Sequence, residues 1–285
     1  LTPFTGKTRS HNPLVSMNKA TFIVCAVATA ILPAPAVLAG DWGKAPAGKS
    51  PIEECADLGG EISIGYDTDY VFYGVRFAKD SVWVDVNYTF DDFAVPVKVG
   101  VWYLNAVSGP AVYDELDVYI DFALGTFAGF DFNVGYYHYT LPELGGGFGY
   151  GEAYLDISRS LGFVDLSYSA IKAFGSKATS AGWFHELGLE RTIELTDAVS
   201  LILGGGVGYS DGYYDGNTYG LPRDSGWNHY YFKASLPITL NCRTTLTPYI
   251  GYNGATRGMI ADGIDVGLGP QSDILHGGVS LTVSF

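Results

Sequence analysis

The chain has 285 residues, including 38 glycines and 21 tyrosines, and only 16% of it is charged. Abundant Tyr and Gly without Leu or Ala at helical spacing favour strands, and beyond residue 32 no apolar run approaches the ~20 residues that a membrane-spanning helix needs. The formal net charge of −14 excludes nucleic acid as a partner, because phosphate contacts require clustered Lys and Arg.

Residues 1–16 are polar and patternless and read as an upstream leader outside the fold. From Met17 the pattern changes. Lys19 supplies a positive charge, the run from Phe22 to Leu32 is apolar but about half the length of a membrane anchor, and Pro33 and Pro35 break it. Val37-Leu38-Ala39 then gives small residues ahead of Gly40. Residues 17–39 are therefore expected to be a signal peptide, cleaved on export. Its removal with the leader takes Lys7, Arg9 and Lys19 from the 16 basic residues and leaves 13 against 30 acidic ones. Residues 40–59 are rich in Pro and Gly and read as a flexible lead-in.

From residue 60 to the end, apolar and polar residues alternate with period two. Val82, Val84, Val86, Tyr88 and Phe90 oppose Ser81, Trp83, Asp85, Asn87 and Thr89. Leu116, Val118, Ile120, Phe122 and Leu124 oppose Glu115, Asp117, Tyr119, Asp121 and Ala123, and Val279, Leu281, Val283 and Phe285 oppose Ser280, Thr282 and Ser284. Strict alternation encodes a sheet with one apolar and one polar face. The spacing predicts strands over 60–77, 81–90, 95–105, 112–124, 129–140, 150–160, 163–174, 183–193, 199–210, 227–240, 243–253 and 274–285.

A soluble sandwich also alternates. Three features favour a membrane barrel instead. The strands run to about 10–12 residues, the length a tilted membrane strand needs. Their polar faces carry Gly, Ser, Asn, Asp and Tyr, as a wet lumen does, and aromatics (Phe90, Phe130, Phe163, Trp183, Trp227, Phe285) mark strand ends as an interfacial girdle does. The expected fold is all-β: a transmembrane, antiparallel, up-and-down β-barrel of twelve strands over residues 60–285. Tight turns at Asp91-Asp92, Gly125-Thr126, Leu161-Gly162, Thr196-Asp197 and Asn241-Cys242 alternate with longer connections, notably 141–149, 211–226 and 254–273. Short turns belong on the periplasmic side of an outer membrane and long loops outside, which puts both termini in the periplasm.

The stretch from Tyr66 to Ser81, with Asp69, Tyr70, Phe72, Gly74 and Val75 in its core, resembles the first-strand signature of the TorF-type porin family; Tyr73 stands where that family has Arg. Asp114-Glu115-Leu116-Asp117-Val118-Tyr119, Gly135-Tyr136-Tyr137-His138-Tyr139 and Gly151-Glu152-Ala153-Tyr154 resemble its fourth, fifth and sixth strands. The resemblance covers residues 60–285 and implies a pore in the bacterial outer membrane, with no catalytic residue and no cofactor to carry over.

On the faces expected to line the lumen lie Asp67, Asp69, Asp85, Glu115, Asp117, Asp121, Asp131, Glu152, Asp156, Asp165, Glu186 and Glu190, against Lys98 and Lys233 alone. Such an excess of carboxylates favours passage of cations. The selectivity set is expected to be Asp85, Lys98, Asp117, Asp121, Asp156, Asp165, Glu186, Glu190 and Lys233. The expected function is a passive, narrow channel for small polar or cationic solutes; the rival readings are a plugged structural or adhesive barrel and a barrel enzyme. His138, His185, His229 and His276 are scattered with no nucleophile motif beside them, so no enzyme is expected, and His138 and His229 read as members of an aromatic belt. Asp211-Gly212 and Asp262-Gly263-Ile264-Asp265 lack an ordered calcium-ligand pattern and read as turns, so no metal is expected. Cys55 and Cys242 both fall on the periplasmic side and are candidates for a disulfide. Phe285 is expected to present the C-terminal strand to the outer-membrane assembly machinery. The remaining expected partners are the lipid bilayer and lipopolysaccharide.

Overall fold

The alternation produces strands throughout the computed structural model, which describes residues 58–108, 113–144, 149–175, 181–214, 225–256 and 272–285. The expected leader, signal peptide and most of the lead-in, together with Cys55 and Asp262 to Asp265, lie outside the described residues. The strands are β1 (Gly60–Phe72), β2 (Val75–Phe90), β3 (Val97–Ser108), β4 (Asp114–Phe127), β5 (Phe130–Thr140), β6 (Tyr150–Ser160), β7 (Asp165–Phe174), β8 (Trp183–Thr196), β9 (Val199–Asp211), β10 (Ser225–Ser235), β11 (Ile238–Asn241), β12 (Thr244–Ala255) and β13 (Asp273–Ser284). Successive strands pair antiparallel, and β13 closes the sheet by pairing with β12 on one side and β1 on the other. Because β10 and β11 both pair with β9 and β12, they share one position in the wall, and the barrel has 12 strands.

Three expected boundaries are corrected. The run 227–240 is two strands, not one: Pro237 has no N–H to give the ladder, so the strand breaks at Leu236-Pro237. The turn after β4 falls at Ala128-Gly129, both at positive φ, while Gly125 sits inside the strand at a register shift. The third correction matters most. The first strand does not run to residue 77; the chain reverses at Tyr73-Gly74, a two-residue turn with both φ values positive (39° and 84°). That mirror-image turn matches the twist of a hairpin, and Gly supplies one positive φ without strain.

Side chains then sort by parity. Val82, Val86, Val99, Val101, Val118, Leu187, Leu189 and Phe232 point outward and stay exposed, while Ser63, Asp85, Trp102, Asp117 and Tyr119 on the opposite parity are buried. An exposed apolar band of this extent suits hydrocarbon rather than water. It is bordered by Phe90, Phe93, Phe127, Phe163 and Phe285 at the end that carries the termini and by Trp183 and Trp227 at the other. At the seam, Phe285 N–H donates to Gly60 O (2.9 Å), and Leu58 and Gly60 N–H donate to Phe285 O, so the last residue locks β13 to the start of β1.

Candidate channel interior

The interior has two layers. At the loop end, the β1–β2 hairpin leaves the wall and crosses the bore. A register shift between Tyr70 and Val71 bends it inward, and its tip is sealed: Phe72 and Val75 are 0% exposed. Tyr73 stacks on Phe184 of β8 at 4.1 Å between centroids and meets Tyr213 edge-on at 5.3 Å. Its hydroxyl donates, at the long distance of 3.4 Å, to Glu152 of β6. From the wall on the β13 side of the hairpin, Asn228 Nδ2 of β10 donates to Tyr73 O (2.6 Å) and Asn253 Nδ2 of β12 donates to Gly74 O (3.0 Å). Both tip carbonyls are thereby satisfied inside the barrel. A Cβ at Gly74 would sit 2.6 Å from His229, so glycine is required for the approach as well as for the turn.

Around the tip, the carboxylates are partnered by phenols. Glu152 also accepts from Tyr139 (3.2 Å) and Tyr213 (2.7 Å), and Glu115 accepts from Tyr70 (3.2 Å) and Tyr113 (2.6 Å). Burial first, and then the Glu152 carboxylate, push the Tyr213 phenol well above its ordinary range, so it stays protonated and donates. Hydrogen bonds to charged acceptors of this kind each contribute about 1.5–3 kcal/mol. The tip is thus held by an aromatic cluster of Tyr70, Phe72, Tyr73, Phe184, Tyr213 and their neighbours.

Below the tip the interior is more polar. Tyr119 Oη donates to both oxygens of Asp85 (3.0 and 3.1 Å), Tyr154 to Asp121, Tyr231 to Glu186 (3.0 Å), Tyr249 to Asp67 (2.7 Å), and Ser169 to Asp156 (2.6 Å). Lys98 lies directly opposite Asp121 across the β3–β4 ladder. Lys233 lies 4.5 Å over the Tyr249 ring and is close to Asp67 and Glu190. Asp165 and Glu190 face each other across β7–β8, a like-charge cross-strand pair toward the terminus end. The interior also holds a further cation that the sequence reading did not count there: Arg76 pairs with Asp69 at 3.2 Å, because the early hairpin turn reverses its side.

Asp85, Asp117, Asp121, Asp156, Asp165, Glu186, Glu190, Lys98 and Lys233 thus all project inward, but they do not form one ring: Asp117 lies at the level of the buried tip, and Asp165 and Glu190 toward the far end. The histidines divide differently from the expectation. His138 is exposed on the outer wall, but His229 is buried inside under Gly74, stacked with Phe184 and 3.9 Å from Glu186, and so is not part of the belt. Asp211 accepts from Ser225 Oγ (3.0 Å) at the start of its loop, as a turn residue does. Cys242, in the β11–β12 turn, is disulfide-bonded. The hairpin tip, and the pairing of inward tyrosines with particular carboxylates, were missed in the sequence. The Tyr73-Gly74 dipeptide within an apolar run and tyrosines recurring at inward parity are local traces of them, but neither identifies the partners across the bore.

No family model matches the chain, and no curated protein matches it. Solved structures do. The chain superposes on an outer membrane channel from Pseudomonas putida F1 with a TM-score of 0.52 at 12% identity, covering 81% of this chain and 97% of that one. It superposes on the KdgM porin in complex with disordered oligogalacturonate with a TM-score of 0.50 at 11% identity, covering 79% and 99%. The fold is that of outer-membrane porin-type barrels. At these identities the likeness extends to the fold alone.

Proposed function

We propose that the chain is a channel of the bacterial outer membrane for small polar or cationic solutes, inserted with its termini in the periplasm and closed at its outer mouth by the β1–β2 hairpin. The observation that carries this reading is the inner surface below the tip, where carboxylates outnumber the basic groups Arg76, Lys98 and Lys233 and several are held toward the bore by Tyr hydroxyls. An acidic, low-dielectric passage lowers the barrier for cations. The TorF-type resemblance, export by the signal peptide at 17–39, and recognition of the C-terminal strand by the assembly machinery belong to the same reading.

The sealed tip favours a second reading, a permanently plugged structural barrel. Planar-bilayer recording decides between them. A channel gives resolved current steps that grow when the tip is unseated by Asn228→Ala with Asn253→Ala; a plugged barrel gives none from either protein. In the same topology Cys242 pairs with Cys55. Non-reducing peptide mapping of protein made in an oxidising host should recover the linked pair, and two free thiols would rule the bridge out.

A further inference from the structure

The outer wall carries an uneven charge pattern at the loop end. On one side of the barrel, three outward tyrosines at this rim are engaged by aspartates: Tyr66 donates to Asp80 (2.6 Å), Tyr103 to Asp114 (2.8 Å), and Tyr252 to Asp273. On the other side, at β7–β8, the rim carries Lys172. Its ammonium donates to Ala181 O (2.7 Å) and lies 5.3 Å over the Trp183 ring. Trp183 stacks in turn on His185, whose Nδ1 is 2.9 Å from the Tyr168 hydroxyl. Among the described residues no carboxylate lies within 4 Å of Lys172.

From this we infer a binding site for the phosphate of an outer-leaflet lipid on the outer wall of β7–β8, with Lys172 as the phosphate-binding residue. An ammonium has three donors, and the carbonyl of Ala181 takes one, leaving two for phosphate oxygens. The flat faces of Trp183 and His185 wall the site on one side. Ala153, directly opposite Lys172 on β6, and Ala170, opposite His185, keep the wall thin below it. Exposed Leu187 and Leu189 continue down β8 toward mid-wall and offer acyl chains an apolar track. The aspartates elsewhere on the rim repel a phosphate, so the charge pattern also gives the site its place. A bare lysine at an interface also snorkels without any ligand, but snorkelling does not account for a side chain already tied down to a carbonyl and a ring. The inference rests on the proposed orientation, which puts this rim in the outer leaflet.

Native mass spectrometry of the folded barrel in detergent, titrated with bis-phosphorylated lipid A, tests the site. Wild type should retain one lipid, with affinity lowered roughly tenfold by Lys172→Ala, in line with one charge-assisted contact. Lys172→Arg should restore it, and Arg243→Ala, a charge-matched change at the opposite end, should leave it unchanged. Dephosphorylated lipid A should not compete, and inorganic phosphate should not displace the lipid at millimolar concentration. Equal retention by wild type and Lys172→Ala overturns the proposal, as does equal binding of the dephosphorylated lipid. Displacement by inorganic phosphate alone also overturns it in favour of a free-anion site. Retention is read in detergent and needs no conductance, so Lys172-dependent binding by a barrel that passes no current leaves the site standing while the channel reading falls.

Discussion

At the loop end of the interior, Glu115, Asp117 and Glu152 are at most 2% exposed, and phenols from the walls and the β1–β2 tip close over them. Toward the terminus end, Asp165 and Glu190 face each other half-buried, with Lys233 near Glu190. Both ends use inward carboxylates on alternating strands. At the loop end Glu115 and Glu152 are tied up as acceptors that fix a plug, with Asp117 buried beside them, whereas at the terminus end the carboxylates are only half-buried and face one another. A count of acidic residues on the polar faces therefore overstates the field a solute would meet, because it does not distinguish a carboxylate buried under tyrosines from one lining water.

The comparison needs a scale, and the outer wall supplies it. Val118→Arg places a charge on the apolar band and should destabilise the barrel by about 2–4 kcal/mol in refolding into bilayers followed by denaturant titration. A loss as small as that from an inward polar exchange such as Thr282→Ser would mean that Val118 faces no lipid. Gly74→Val comes next. It forces a β-branched side chain into positive φ and against His229, at about 1–3 kcal/mol. The strain is relieved if the tip swings out, so current should rise in planar bilayers even as stability falls. A destabilised barrel with unchanged current would show that the tip is not what closes the bore. Asn253→Ala is milder. It leaves the Gly74 carbonyl without its donor and should cost about 1–3 kcal/mol at most, with a smaller rise in current.

The wall was legible in the sequence because period two is a strong signal: a slip by one residue would exchange the faces, so Val82 to Phe90 or Leu116 to Leu124 admit a single reading. The tip was not. Tyr70-Val71-Phe72-Tyr73 is apolar at both parities, so alternation is silent there, and a strand running to 77 is as compatible with the pattern as a hairpin is. What decides between them is tertiary: Asn228 and Asn253, more than 150 residues away in sequence, capture the turn carbonyls. The position of Arg76 was lost with the turn. The inward placement of Asp85 and Lys233 follows from parity alone, whereas their tyrosine partners depend on register between strands that no local pattern reports.

Ion selectivity separates the two ends most finely. In the Gly74→Val background, where the bore is expected to be open, Asp165→Asn with Glu190→Gln removes two carboxylates from the terminus end. Glu115→Gln with Asp117→Asn removes the same number from the loop end. Both pairs are isosteric and remain polar, so the fold should survive each. The first pair should move the reversal potential in a salt gradient toward zero, because its charges are half-exposed and their loss leaves Lys233 less compensated. The second should move it less, since Glu115 stays under the phenols of Tyr70 and Tyr113, bonds anchored partly in the wall rather than in the tip, and Asp117 is buried beside it. The contrast should be largest in dilute salt and fade as the screening length shrinks from about 10 Å at 0.1 M to about 3 Å at 1 M. Equal shifts from the two pairs would mean that the loop-end carboxylates also line the open bore. The division between the ends would then be a property of the closed state alone.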